Sequence, residues 1–77
     1  MKWNKAIDQI GKALKEGKIV EITYHRKWMK NDNHIEQVED LVEYSYNGWI
    51  CYAVNLFSNQ IDEGSHIIDE VIVKEGE

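Results

Sequence analysis

Leu41-Val42-Glu43-Tyr44-Ser45-Tyr46-Asn47-Gly48-Trp49-Ile50-Cys51-Tyr52-Ala53-Val54 decides the architecture of this 77-residue chain. Two runs rich in β-branched and aromatic residues flank Asn47-Gly48. A two-residue type I′ turn needs positive φ at both central positions, and Asn followed by Gly tolerates that best. The pair predicts a hairpin over 41–57 and sets its register. Tyr46 faces Trp49, Tyr44 faces Cys51 and Val42 faces Ala53 on one side. Ser45 faces Ile50, Glu43 faces Tyr52 and Leu41 faces Val54 on the other. The second arm, 49–57, is apolar on both faces near its start, the pattern of a central strand.

Upstream, Trp3, Ile7, Ile10 and Leu14 recur at helical spacing, and Ala6 and Ala13 widen the stripe. The spacing predicts a helix over 3–16, with Asn4 as N-cap or a start at Trp3, and with Gly17 as its stop. Gly11 costs that helix about 1 kcal/mol relative to Ala and admits a close neighbour. Residues 18–28 read as a strand with Val20, Ile22 and Tyr24 inward, and Trp28 on the same parity if it runs that far. A polar loop follows around Lys30-Asn31-Asp32-Asn33. Residues 35–39 and 41–46 read as strands with a bend or bulge at Asp40. Residues 58–65 read as a polar loop. A last strand covers 66–73, with a kink at Asp69-Glu70, before a frayed tail over 74–77. The expected fold is α+β in one domain, 1–77. One helix precedes about five mostly antiparallel strands, forming a small SH3/Sm-like barrel or a curled sheet.

Fourteen acidic residues outnumber nine basic ones, for a net charge of -5. Lys2, Lys5, Lys12, Lys15 and Lys18 lie early, and Arg26, Lys27 and Lys30 form a cluster. No Lys or Arg then occurs until Lys74. An acidic second half speaks against broad nucleic-acid binding by the sheet and suits a basic partner. A single cysteine makes no internal disulfide and fits a reducing compartment, or a fold that does not need crosslinks. No apolar run of signal-peptide or membrane-spanning length occurs, so a cytoplasmic location is expected. A chain this short buries roughly 60–65% of its unfolded surface, and three Trp and four Tyr enlarge that core.

No catalytic residue, metal site or cofactor site is expected. His25, His34 and His66 are scattered and share one cysteine, short of a converging zinc set. Asp32-Asn33-His34 lacks the glycine and terminal glutamate of a calcium loop. Cys51 sits mid-strand beside Tyr44, as a small apolar filler does. Asp62-Glu63 and Asp69-Glu70 are sequence neighbours that point to opposite faces of a strand. The aromatics offer more. Tyr44, Tyr46 and Trp49 share a face near the turn, and Tyr24 and Trp28 are placed to extend it into a peptide groove. About half of these rings belong to the core of so short a domain, with Tyr46 and Trp28 expected outside.

A short helix carrying Ala6-Ile7 precedes Gly17-Lys18-Ile19-Val20-Glu21-Ile22-Thr23-Tyr24. Asn47-Gly48-Trp49 is followed by Ala53, and Ile68-Asp69-Glu70-Val71 comes near the end. In that order the pieces resemble the WYL domain, an Sm-like or SH3-like barrel common in bacterial transcription regulators. Val38 to Leu41 falls where that family has a Pro-x-x-Leu pattern. The resemblance implies a barrel, and a nucleotide or nucleic-acid ligand held by arginines. The chain departs at the ligand positions. Trp49-Ile50-Cys51 keeps only the Trp of the family's tripeptide, and Glu39-Asp40 occupies the region of its proline. Glu70 replaces an arginine, no arginine stands near Ser65-His66, and carboxylate repels phosphate. The accompanying DNA-binding helix-turn-helix is not in this sequence.

The expected function is that of a non-enzymatic binding or regulatory module acting on another, basic protein. A small acidic accessory protein of a phage or mobile element fits that description. Edge strands offer a route to a homodimer. The rival reading is a WYL-like sensor of a nucleotide or single-stranded nucleic acid, with Arg26, Lys27, Trp28 and Lys30 as the binding patch. An enzyme ranks third, because no nucleophile, base and orienting group assemble.

Overall fold

The computed structural model describes residues 1–76. Helix α1 spans Trp3–Lys15 and buries Trp3, Ala6, Ile7, Ile10 and Ala13 along one stripe. Its N-cap is Lys2, whose backbone is extended and makes no side-chain cap bond, so Asn4 lies inside the first turn. Gly17 ends the helix at φ 76°, and the Gly17 and Lys18 amides donate back to Leu14 and Ala13 at 3.0 Å. Left-handed glycine closes helices in this way because it carries no Cβ to clash.

Five strands follow: β1 Ile19–Arg26, β2 His34–Tyr46, β3 Trp49–Leu56, β4 Gln60–Ile61 and β5 His66–Lys74. All pairings are antiparallel, in the order β4-β3-β2-β1-β5. β4 and β5 are the sheet edges and do not pair, so the sheet is open and not closed into a barrel. The hairpin turns at Asn47 (φ 50°) and Gly48 (φ 81°). Its register is Tyr46↔Trp49, Ser45↔Ile50, Tyr44↔Cys51 and onward to Leu41↔Val54.

Four details differ from the sequence reading. β1 ends at Arg26, because the chain turns there with the Met29 amide bonded to the Arg26 carbonyl at 3.0 Å. Trp28 therefore leaves the sheet. The strands expected at 35–39 and 41–46 are one continuous β2, and the register shifts between Val38 and Asp40 with Glu39 unpaired. The expected loop 58–65 contains β4. The tail is held rather than frayed: Lys74 belongs to β5, Glu75 lies 3.9 Å from Lys18, and Gly76 packs on the Gly17 backbone. Glu77, the last residue of that expected tail, lies outside the described residues.

The core lies between α1 and one face of the sheet. Val20, Ile22 and Tyr24 of β1 meet Val38, Val54, Leu56, Ile61 and Ile68 beneath the helix. Full burial of each aliphatic side chain contributes roughly 1.5–3 kcal/mol. No described helix is long and apolar enough to cross a membrane. Pairing is uneven along β2. β1 follows it only as far as Gln37, and β4 covers only Val54 and Asn55 of β3. From Val42 to Ala53 the sheet is a ribbon of two strands.

Two glycines respond oppositely to substitution. A Cβ at Gly11 would meet Leu41 Cδ1 at 3.5 Å, an ordinary contact. Gly11→Ala is expected to raise unfolding free energy by about 0.5–1 kcal/mol in urea titrations. Gly48→Ala forces a side chain into the left-handed region and is expected to cost about 1 kcal/mol by the same measurement.

Candidate functional site

The two-stranded ribbon carries five of the exposed large apolar side chains. Trp49 is 74% exposed, Ile50 68% and Tyr46 64%, and Tyr44 and Tyr52 are also exposed. Alternation places Tyr44, Tyr46 and Trp49 on one face and Ile50 and Tyr52 on the other. Both faces are exposed at the tip, and no third strand pairs with it there. Single exposed apolar residues are ordinary, whereas a contiguous set marks a contact surface. The ribbon carries Glu43 and, at its base, Glu39 and Asp40, all exposed, and no cation between residues 31 and 73.

One edge of the ribbon is sealed at its base. The Trp3 indole donates to the Tyr52 carbonyl at 3.3 Å, so the helix caps the outer edge of β3. Trp3, Asp8, Tyr44, Ile50, Cys51 and Tyr52 border a groove of about 460 Å³ there. The Tyr52 hydroxyl donates to Glu43 at 3.2 Å, and that bond with the carboxylate charge raises its pKa above the usual value. Tyr44 is also raised, by desolvation first and then by Cys51, Asp62 and Glu63. Both hydroxyls therefore stay protonated at neutral pH.

The far end of β2 is built differently. Tyr24 and Ser58 both donate hydroxyl protons to the Glu36 carboxylate, tying β1, β2 and the β3–β4 turn together. Burial, then the bond to Glu36, pushes the Tyr24 hydroxyl up to about 12. The Ser58 and Tyr24 bonds hold Glu36 below the usual carboxylate value. The Tyr24 ring stacks on His34 with centroids 5.2 Å apart and meets the edge of His66 at 5.6 Å. His34 bonds Asp32 at 3.0 Å, and Arg26 Nε stands 3.8 Å from the other Asp32 oxygen. That distance is an ion pair too long for a hydrogen bond, so this buried oxygen has no hydrogen-bond partner. Ser65 Oγ donates to Asp62 at 2.9 Å and lies 2.7 Å from His66 Nδ1. The serine thus stands between carboxylate and imidazole, the reverse of the order that activates a nucleophile.

The residues singled out from sequence fall into two groups. Tyr44, Tyr46 and Trp49 come together on the ribbon. Arg26, Lys27, Trp28 and Lys30 come together on the exposed β1–β2 loop, where Trp28 is 84% exposed. The loop and the ribbon tip lie at opposite ends of β2, so the two groups do not form one groove. Tyr24, placed to extend the aromatic face, is buried in the core instead. Cys51 lies mid-strand opposite Tyr44, half-buried. Among the described residues no group of three His, Cys, Asp or Glu side chains converges to hold a metal ion.

Ile50 was not singled out from sequence, although the register places it opposite Ser45 and beside Glu43, a polar face. The Glu36–Ser58 bond had no signal at all, because 22 residues separate its partners. No family model matches the chain, and no curated protein or solved structure matches it either.

Burial, followed by the Arg26 charge, holds the His66 imidazole below its usual 6.5. The folded form then resists a proton that the unfolded chain accepts. Stability is complete above about pH 6.5 and falls as pH drops through that value toward the lower folded one. Urea midpoints taken across pH 7.5 to pH 5.5, roughly the range in which histidine titrates, are expected to fall less in His66→Gln than in the parent chain. Equal slopes would exclude the assignment.

Proposed function

We propose that this chain is a non-enzymatic binding module that acts through protein contacts at the β2–β3 ribbon, on a partner that presents positive charge. One observation supports it above the others: the stretch of β3 that reads as a central strand, apolar on both faces, has only one neighbouring strand and stays in solvent. A hairpin without a third strand is marginal in water, and a partner surface supplies the missing burial. Tyr and Trp are the side chains that dominate such contacts. The carboxylates of Glu39, Asp40 and Glu43 favour a basic partner and steer its approach.

Likeness to the WYL domain belongs to this reading. An N-terminal helix leading into five antiparallel strands supports an Sm-like or SH3-like relationship, with the sheet open between β4 and β5. A second reading, a sensor of nucleotide or single-stranded nucleic acid, draws on the β1–β2 loop, where the exposed Trp28 lies between Lys27 and Lys30 in the sequence. The aromatic offers a stacking platform and the cations a phosphate contact.

Affinity capture from a bacterial lysate discriminates the two. Tyr46→Ala with Trp49→Ala is expected to reduce capture of a protein partner at least about tenfold, as loss of aromatic anchors does. The urea midpoint should change by no more than about 0.5 kcal/mol equivalent, because both side chains are exposed. Retained capture in that double variant, with loss in Trp28→Ala, would transfer the function to the loop.

A further inference from the structure

We propose that the free edge of β2 between Val42 and Tyr46 accepts an extended, lysine- or arginine-bearing segment of the partner as an added antiparallel strand. The proposal rests on the ribbon being the contact surface and specifies how the partner binds there. Tyr46 and Trp49 flank a two-residue turn and form the hydrogen-bonded pair that closes it. Antiparallel pairs then alternate, so Tyr44 and Val42 direct their main-chain groups to β3, and Glu43 and Ser45 direct theirs away from it. No strand lies on that side, because β1 pairs with β2 only up to Gln37. Two peptide units thus stand ready for a visitor.

The other edges are interrupted by recognisable devices, and that of β3 is left open only near the tip, at Ile50. Trp3 occupies the Tyr52 carbonyl on the outer edge of β3, and β4 covers Val54 and Asn55. β4 is two residues long. β5 carries a register shift at Asp69, and its apolar side chains are buried or half-buried except Val73 near its end. Bulges of this kind interrupt an edge against pairing.

Side-chain chemistry selects the visitor. On one face the added strand meets Val42, Tyr44 and Tyr46, which suit β-branched residues. On the other it meets Glu43 flanked by Leu41 and Ser45, which suits a cation at the middle position. The matching segment therefore alternates an aliphatic residue with Lys or Arg. A second copy of this chain is a poor occupant: its ribbon adds three more carboxylates and no cation.

The probe is a capped seven-residue peptide alternating Val and Lys, added to the ¹⁵N-labelled full chain at low salt. Amide exchange at Glu43 and Ser45 is expected to slow at least about tenfold, with smaller effects at Val42 and Tyr44. The same peptide N-methylated at alternate amides should give no protection, and Glu43→Lys should weaken binding about two- to fivefold. Shifts at the Tyr46 and Trp49 rings without protection at Glu43 and Ser45 would overturn strand addition and leave the ribbon contact standing. No response at either set would overturn both. Concentration-dependent protection of Glu43 and Ser45 without peptide, with a doubled mass by light scattering, would assign the edge to a second copy and overturn the proposal.

Discussion

β2 is thirteen residues long, and its neighbours are not. β1 has eight residues and β4 two, so no arrangement of these strands covers β2 and β3 along their whole length. That mismatch fixes the rest of the molecule. β1 pairs with β2 from His34 to Gln37 and β3 pairs with it from Val38 onward, and the core residues Ile22, Val38 and Leu56 lie around the point where the two pairings meet. From Val42 to the turn the sheet is two strands wide, and Tyr46, Trp49 and Ile50 stay exposed. The bulge at Glu39 lies where the pairing passes from β1 to β3, and bulges add local twist.

The root is stiff for two reasons of different kind. Beneath α1 the aliphatic side chains of all five strands interlock at nearly zero exposure. Beyond them the Glu36 carboxylate takes protons from Tyr24 and Ser58, so three segments share one acceptor. Charge-assisted bonds of this sort are worth more than neutral ones, and each partner would be costly to strand. Tyr24 joins both parts: its ring lies in the core and its hydroxyl in the network. The network holds the start of β2 and leaves the last third of the strand untouched.

Local signals carried most of the fold, and non-local ones were lost. The Asn47-Gly48 turn, the helical stripe from Trp3 to Leu14 and the alternation at Val20, Ile22 and Tyr24 are each decided within a few residues, and each was legible. The length of β1 was not: parity alone allowed Trp28 to extend it, and the stop at Arg26 comes from a turn bond and from the Lys27 amide reaching the Ser65 carbonyl. β4 was invisible because two residues bear no period. The character of Trp49 to Ala53 misled for an instructive reason. An apolar strand on both faces means that both faces seek burial; it does not say that the chain itself supplies the cover. The candidate surface was therefore legible as residues, Tyr44, Tyr46 and Trp49, while its exposure and the role of Ile50 depended on which strands stop short.

A rigid root under a free ribbon also bears on binding energetics. Association costs the ordering of every group that was mobile before contact. Here the turn conformation, the cross-strand ladder and the base of β2 are set in advance, and Tyr and Trp have few rotatable bonds to fix. The remaining cost falls on the visitor. Placing the carboxylates at Glu39, Asp40 and Glu43 on that same arm adds attraction over a distance of about one screening length, roughly 8–10 Å at ordinary ionic strength. In the proposed contact the charge would act first and the aromatics after it. An acidic ribbon also discourages neighbouring copies from pairing along an edge that geometry leaves open, so on the proposed reading the residues that would recruit a basic segment also keep copies of the chain apart.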